Sequence, residues 1–322
     1  MANRRISSTH KEIQDVRSRL FLQEWSTIPF DIQNRLRILE ELIGDRAGDE
    51  LHRHVVVSAI AALQTYHRGV IVSIVDSNDK YKSRAAEFIT EKFTIKDALY
   101  WLNSNAVTFG ELVSHAVPCN SVADLMSNLG ILLDCEFKNC LMNAIDPYDF
   151  RNQRESPEPI VRDVDNLLFN LSEAFRLRHI FAHEAASSIS VSADECRRLH
   201  GAVVLWTIAV NAVLWTTAYR ELPLTQYEMN MHSQLQVRKA RDVLAQAMRE
   251  ALNDARSTGS ASWLRQNHFA WRRVAMDWAR STYGSLQGSI WFSVGGADLA
   301  NAIRNRAEQV IGWNKNRKPD EP

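Results

Sequence analysis

The feature that most constrains this chain is an uncharged apolar run, AVVLWTIAVNAVLWTTAY, from Ala202 to Tyr219. A run of this length approaches a membrane-spanning helix, so it belongs either in a bilayer or in a protein core. Three details favour the core. Asn211 sits at its centre, Thr207, Thr216 and Thr217 interrupt it, and no second segment of membrane type accompanies it. The run is therefore expected to be a buried core or dimer-interface helix, with no membrane partner. An earlier stretch agrees: Val55, Val56, Ala59, Ile60, Leu63, Val70 and Ile74, between Glu50 and Val75, recur at helical spacing and must also be core.

Strand signals are scarce and helical periods recur, which predicts an all-α fold. Pro29 and Asp31 open a helix through Ile32, Leu36, Leu39 and Leu42 that ends near Gly44. Ser121 caps the next clear helix, VADLMSNLGILLD, and Asp146 to Pro159 reads as a loop. A helix from about Ile160 then runs through Leu167, Leu168, Leu171 and Phe175 into RLRHIFAHE, and Ser192 with Asp194 opens the helix that carries the apolar run. Pro223 marks a boundary, so three parts are expected: an N-terminal arm over 1–29, a domain over 30–222 and a second domain over 223–322. The second domain should hold helices from Thr225 to Arg256 and from Ala261 to Tyr283, a glycine-rich loop from Gly284 to Gly296, and a last helix from near Asp298.

With 45% hydrophobic and 24% charged residues, 12 Gly and 8 Pro, the chain is neither collagen-like nor wholly disordered. Cys119, Cys135, Cys140 and Cys196 form no CxxC pair and are expected to be free thiols in a reducing cytosol. Arg4 and Arg5 have no apolar segment behind them, so no secretory signal is read and the expected location is cytoplasmic.

The residues that carry chemistry are Arg178, His179, Ile180, Phe181, Ala182 and His183, near the end of one helix and in front of another. Histidine suits proton transfer near neutrality, and the Arg guanidinium forks onto two phosphate oxygens. RNA can be cleaved with such groups alone if a base takes the 2′-hydroxyl proton, an acid serves the leaving 5′-oxygen and a cation offsets charge on the phosphate. One Arg and one His are a thin set. On an ideal helix they also point about 140° apart, so one copy supplies half a site and two facing copies supply a whole one. His179 and His183, four residues apart, have a spacing that would also suit two metal ligands, but only Glu184 is near as a third. His179 is therefore read as a substrate-orienting residue and no metal is expected. The alternative for the whole segment is a solvated helix end whose Arg and His complement the helix dipole.

Arg178, a polar residue and then His183 resemble the R-x4-6-H signature of the HEPN superfamily of ribonucleases, and the helical context resembles that family over roughly residues 30 to 222. The resemblance implies a HEPN-like helical bundle and a metal-independent, cofactor-free endoribonuclease acting as a homodimer. Its products would be a 2′,3′-cyclic phosphate and a 5′-hydroxyl. Arg178 would stabilise the transition state, His183 would serve as base or acid, and His179 would orient the site. It also implies a toxin or effector of a bacterial toxin–antitoxin or phage-defence system, with an antitoxin or phage-derived protein as trigger. Ala186 stands where some relatives carry a Tyr that their antitoxins modify, which disfavours that mode of control. The alternative is a non-catalytic HEPN-like module that senses a protein or nucleotide partner.

Gln266, Phe269, Arg273, the Gly288-Ser289-Ile290 turn, Arg304 and Arg306 resemble a second family, the small helical LprI-like lysozyme-inhibitor domain. That implies a small α-helical domain. The family's cysteines are missing near Asp277 and near Ala297 or Asp298, which argues against lysozyme inhibition. The formal net charge of the chain is zero, yet residues 231–322 carry 14 Lys and Arg against 8 Asp and Glu, an excess of 6. Those basic residues interleave with Trp263, Trp271, Trp278 and Trp291, a mixture that can hold phosphates and stack bases. Arg272 and Arg273, with Arg176 in the first domain, are the candidate RNA contacts.

Overall fold

A computed structural model describes residues 12–19, 25–44, 48–88, 107–183, 189–256 and 259–316, the side chains of Ser26 and His183 excepted. The chain divides into two compact units, Met1–Arg220 and Glu221–Pro322. Among the described residues both units are all-α, and the only β-pairing is an isolated bridge between Ile145 and Pro159.

The first unit is organised by α2 (Asp49–Ser77), preceded by α1 (Ile28–Glu41). Helix α1 starts with Pro29 in its first turn and Asp31 against the positive end of its dipole. It buries Ile28, Ile32, Leu36 and Leu39, a stripe at helical spacing. Helix α2 is buried on nearly every side because α1, α4 (Phe109–Ala116), α8 (Val164–His183) and α9 (Ala193–Thr216) all pack on it. Gly69 permits the closest approach: a Cβ there would lie 2.7 Å from Cγ2 of Ile28.

Between α2 and α8 come α3 (Asp79–Ala85), α4, α5 (Val122–Leu133), α6 (Phe137–Met142) and α7 (Pro147–Arg151). Thr108 with Glu111 and Ser121 with Asp124 form capping boxes that start α4 and α5. Asp134 ends α5 in the left-handed conformation, φ 57°. In α9, Trp206 is wholly buried, its ring 6.0 Å from that of Phe137.

The second unit contains α10 (Gln226–Arg256), α11 (Ala261–Tyr283) and α12 (Ile290–Lys315). Helices α10 and α12 pack intimately, and their seam is built from small residues: Ala240, Ala247, Ala251, Ala300 and Ala307, with Leu244, Ile303 and Val310. Helix α11 lies more loosely on that pair and buries only Leu264 fully.

Three expectations need correction. Asp146 to Pro159 is not all loop, because the Asp146 carboxylate caps α7 at the backbone N–H groups of Tyr148 and Asp149. The glycine-rich segment 284–296 is loop only in its first half. Helix α12 begins at Ile290 and absorbs Gly295, where a Cβ would meet the Tyr283 ring at 2.9 Å, and Gly296, where a Cβ would force the Ser233 hydroxyl to turn away. Where it is described, the stretch before residue 30 packs on the first unit: Ile13 is buried, and Arg17 and Trp25 bond to Glu111. Finally, α9 is not the only helix of membrane type. Helix α2 is also long and apolar enough to cross a bilayer, and 72% and 61% of the apolar windows of α2 and α9 are buried inside the protein.

Candidate functional site

Helix α8 places the motif by its wheel. Its inward stripe runs Val164, Leu167, Leu171, Ala174 and Phe175, all buried, and Arg178 continues that stripe one turn further. Arg178 is thus half-buried at the end of a hydrophobic seam, where α8 packs against α2 and α9. Among the described residues it forms no ion pair or hydrogen bond. Its neighbour Arg176 points outward and is held by Glu173 at 2.9 Å, a charge-assisted contact that raises its pKa. The two arginines therefore differ sharply: Arg176 has an acid partner and Arg178 does not.

His179 lies on the solvent side of the helix. His183 is the last residue of α8, and its side chain lies outside the described residues, as do Glu184 and Ala186. Basic groups collect in the last two turns, where the helix dipole favours them. Among the described residues no group of three His, Cys, Asp or Glu side chains gathers as metal ligands would.

A second cation meets this helix end, and it was not anticipated from the sequence. The Arg53 guanidinium, near the start of α2, sits over the Phe181 ring, 6.0 Å from its centroid. Its Nε donates to the Ile189 carbonyl at 2.9 Å and it pairs with Glu50 at 2.9 Å. One residue away, His52 is buried with its ring nitrogens 2.8 Å from the Val191 carbonyl and 3.2 Å from that of Gly44. Arg53 and His52 thus anchor residues 189–191, through which the chain leaves the motif for α9. The available signal was the polar head of α2, Asp49 to His54, in front of the apolar run that begins at Val55.

His200 and His67 are buried and belong to the core. His200 Nε2 lies 2.9 Å from the Leu36 carbonyl, and burial lowers its pKa. Arg198 bonds Asn170 across the α8–α9 seam.

The remaining candidates, Arg272 and Arg273, belong to the second unit and are exposed on α11. Arg272 borders a cavity of ≈ 400 Å³ with Trp271 and His268, whereas Arg273 does not. Of the tryptophans expected to be accessible, Trp263 and Trp278 are about half exposed and Trp291 stands at 36%, but Trp271 is covered by the Arg306 guanidinium, 5.8 Å from its centroid. Comparison with family models, curated proteins and solved structures finds no match to this chain.

Proposed function

We propose that the first unit is a metal-independent endoribonuclease of the HEPN type, built from a HEPN-like bundle and active as a homodimer. The observation that carries this reading is Arg178: a half-buried arginine without an acid partner among the described residues, at the mouth of an apolar seam and five residues before His183. Arg176, two residues earlier, is by contrast held by Glu173. A guanidinium left open and half-desolvated is suited to a phosphate oxygen pair.

In this reading two copies bring their α8 ends together, so that two Arg178 and two His183 surround one phosphodiester. One His183 takes the proton of the ribose 2′-hydroxyl, and the 2′-oxygen attacks phosphorus. The P–O5′ bond breaks, and the 5′-oxygen leaves with a proton from the other His183. The products are a 2′,3′-cyclic phosphate and a 5′-hydroxyl, and Arg178 offsets the charge that builds on the non-bridging oxygens. His179 orients the substrate from the solvent side. Phe169 on α8 and Ile208 on α9, both exposed, are apolar groups that a partner copy would cover. The biological setting proposed is a toxin or effector of a bacterial toxin–antitoxin or phage-defence system.

The test uses the purified full chain with mixed RNA in EDTA. Cleavage to 5′-hydroxyl and cyclic-phosphate ends is expected, with a loss of roughly 10²-fold or more in Arg178→Ala and His183→Ala and an unchanged circular dichroism spectrum. No cleavage, full activity in both variants, or an active monomer overturns the proposal.

A further inference from the structure

The second unit has a feature that the ribonuclease reading does not use. Helix α11 leaves a cleft against the α10/α12 pair, formed by cavities of ≈ 760 Å³ and ≈ 400 Å³ that share Arg241, Met276 and Leu299 as walls. These volumes fall in the roughly 300–1,000 Å³ range of small-molecule sites. The cleft is structurally specified. Gly295 and Gly296 bring α12 against Tyr283 and Ser233, and the Tyr283 hydroxyl donates to Asp298 and fastens the end of α11 to α12.

Four arginines border this cleft: Arg238 and Arg241 on α10, and Arg272 and Arg280 on α11. None of them makes an ion pair or hydrogen bond among the described residues. In the first unit Arg37, Arg84, Arg162 and Arg176 each hold a carboxylate, whereas among the described residues Arg178 does not. Asp242 is the one acid on the walls, so four positive charges less one leave an excess of three. Behind the wall, Arg306 is buried with amide partners only, Asn267 at 2.6 Å and Gln309 at 3.3 Å. Arg272 and His268 line the smaller cavity together, and the Arg306 guanidinium lies over the ring of its Trp271 wall, 5.8 Å from the centroid. Apart from Ser233, Gln234 and His268, the rest of the lining is apolar and aromatic, with Trp291, Phe292 and Tyr283 in the larger cavity and Trp271 in the smaller.

From this geometry we propose that the cleft between α11 and the α10/α12 pair binds a nucleoside polyphosphate. The excess of three positive charges matches a di- or triphosphate, and guanidinium forks suit its oxygens. A single-headed carboxylate or lipid anion would leave about two guanidinium groups unneutralised. Trp291 and Phe292 present aromatic faces for a base, and Gln234 and Asp242 supply polar groups for its edge. The cleft opens to solvent, and its volume suits one such molecule. The site stands on the second unit alone and is independent of what α8 does.

The probe is ATP carrying a fluorescent N-methylanthraniloyl group, titrated into the full chain by anisotropy, with unlabelled competitors. Saturable binding in the micromolar range is expected, displaced by ATP or GTP and displaced about tenfold less well by adenosine or by inorganic tripolyphosphate. Arg241→Ser and Arg280→Ser should each weaken binding about tenfold, and Trp291→Ala should weaken ATP without changing tripolyphosphate. Arg249→Ser, on the exposed side of α10, should change nothing. Circular dichroism checks that each variant folds. No binding at millimolar ATP overturns the proposal, and so does equal affinity for tripolyphosphate, which would mean a mere charged patch. Displacement by single-stranded RNA far better than by ATP, or by decyl phosphate when ATP itself fails, also overturns it.

Discussion

Lowering the pH should weaken the first unit through a single enclosed imidazole, that of His67. Its ring lies between α2 and α5, wholly buried. The Asn128 side-chain amide donates to His67 Nε2 at 3.3 Å, so the ring proton is on Nδ1, which has no partner. Burial pulls its pKa down from 6.5 to about 3, Arg68 acts in the same direction and Asp124 opposes it. The unfolded chain therefore takes a proton below 6.5 while the folded chain refuses it until about 3. The stabilising contribution is complete above the unfolded value and shrinks as the pH falls. Between about pH 7.5 and about pH 5 this one group should cost ~2 kcal/mol of stability. The comparison that isolates it is wild type against His67→Gln, which cannot titrate in this range. All four cysteines lie in the first unit and Cys119 and Cys196 are buried. Urea unfolding followed by a brief pulse of methyl methanethiosulfonate therefore reads this unit by itself. Wild type should lose about 2 kcal/mol more than the variant between the two pH values. A difference below about 0.5 kcal/mol, or a His67 ring resonance that titrates near 6.5 in the folded protein, would refute the reasoning.

Other outcomes follow from the same packing. Trp206→Ala, which empties a fully buried site beside Phe137, should cost about 3–5 kcal/mol in urea unfolding of the first unit. Gly69→Val places branched atoms where Ile28 already stands and should cost about 1–3 kcal/mol, whereas Gly201→Ala, with open space around it, should leave the midpoint unchanged or slightly raised. Glu111 is buried and accepts from Arg17, Trp25 and the Thr108 backbone. Glu111→Ala should therefore lower stability by about 2 kcal/mol, the loss moderated because Arg17 stays part-solvated. The Cys135 and Cys140 sulfurs lie 2.8 Å apart. Diamide should convert this pair to a disulfide, lowering its peptide mass by two hydrogens and sparing Cys119 and Cys196. Burial, then the hydrogen bond from Cys140, push the Cys135 thiol up to about 12, so the reaction should quicken as the pH rises. Four alkylatable thiols after treatment would count against the pairing.

Much of the secondary structure was legible because its signals are local. Ser121 and Ser192 cap the helices that follow them, as their side chains and the next few residues imply. The helix from Ala261 to Tyr283 has the bounds that its sequence indicates. Errors fell where a distant partner decides. Gly295 and Gly296 read as loop until Tyr283 and Ser233 are seen to need the space their missing side chains leave. The anchoring of the arm before residue 30 was not legible, because Glu111 stands 94 residues from Arg17. The candidate site divides in the same way. The residues of the α8 motif could be named from spacing, but the contrast between an acid-paired Arg176 and an unpaired Arg178 could not, nor could the contact of Arg53 with Phe181.

By itself, then, the sequence determined the all-α class, the helix starts and the apolar stripes, since these depend on propensity, capping and a period of 3.6 residues. It also determined which residue types stand near the end of α8. The tertiary structure decided the rest. Two helices apolar enough for a bilayer are mostly enclosed by protein, because six other helices pack on α2. The basic excess of the second unit resolves into a cleft with four open arginines, because side-chain pairing and cavity shape depend on residues that meet only when α10, α11 and α12 are packed.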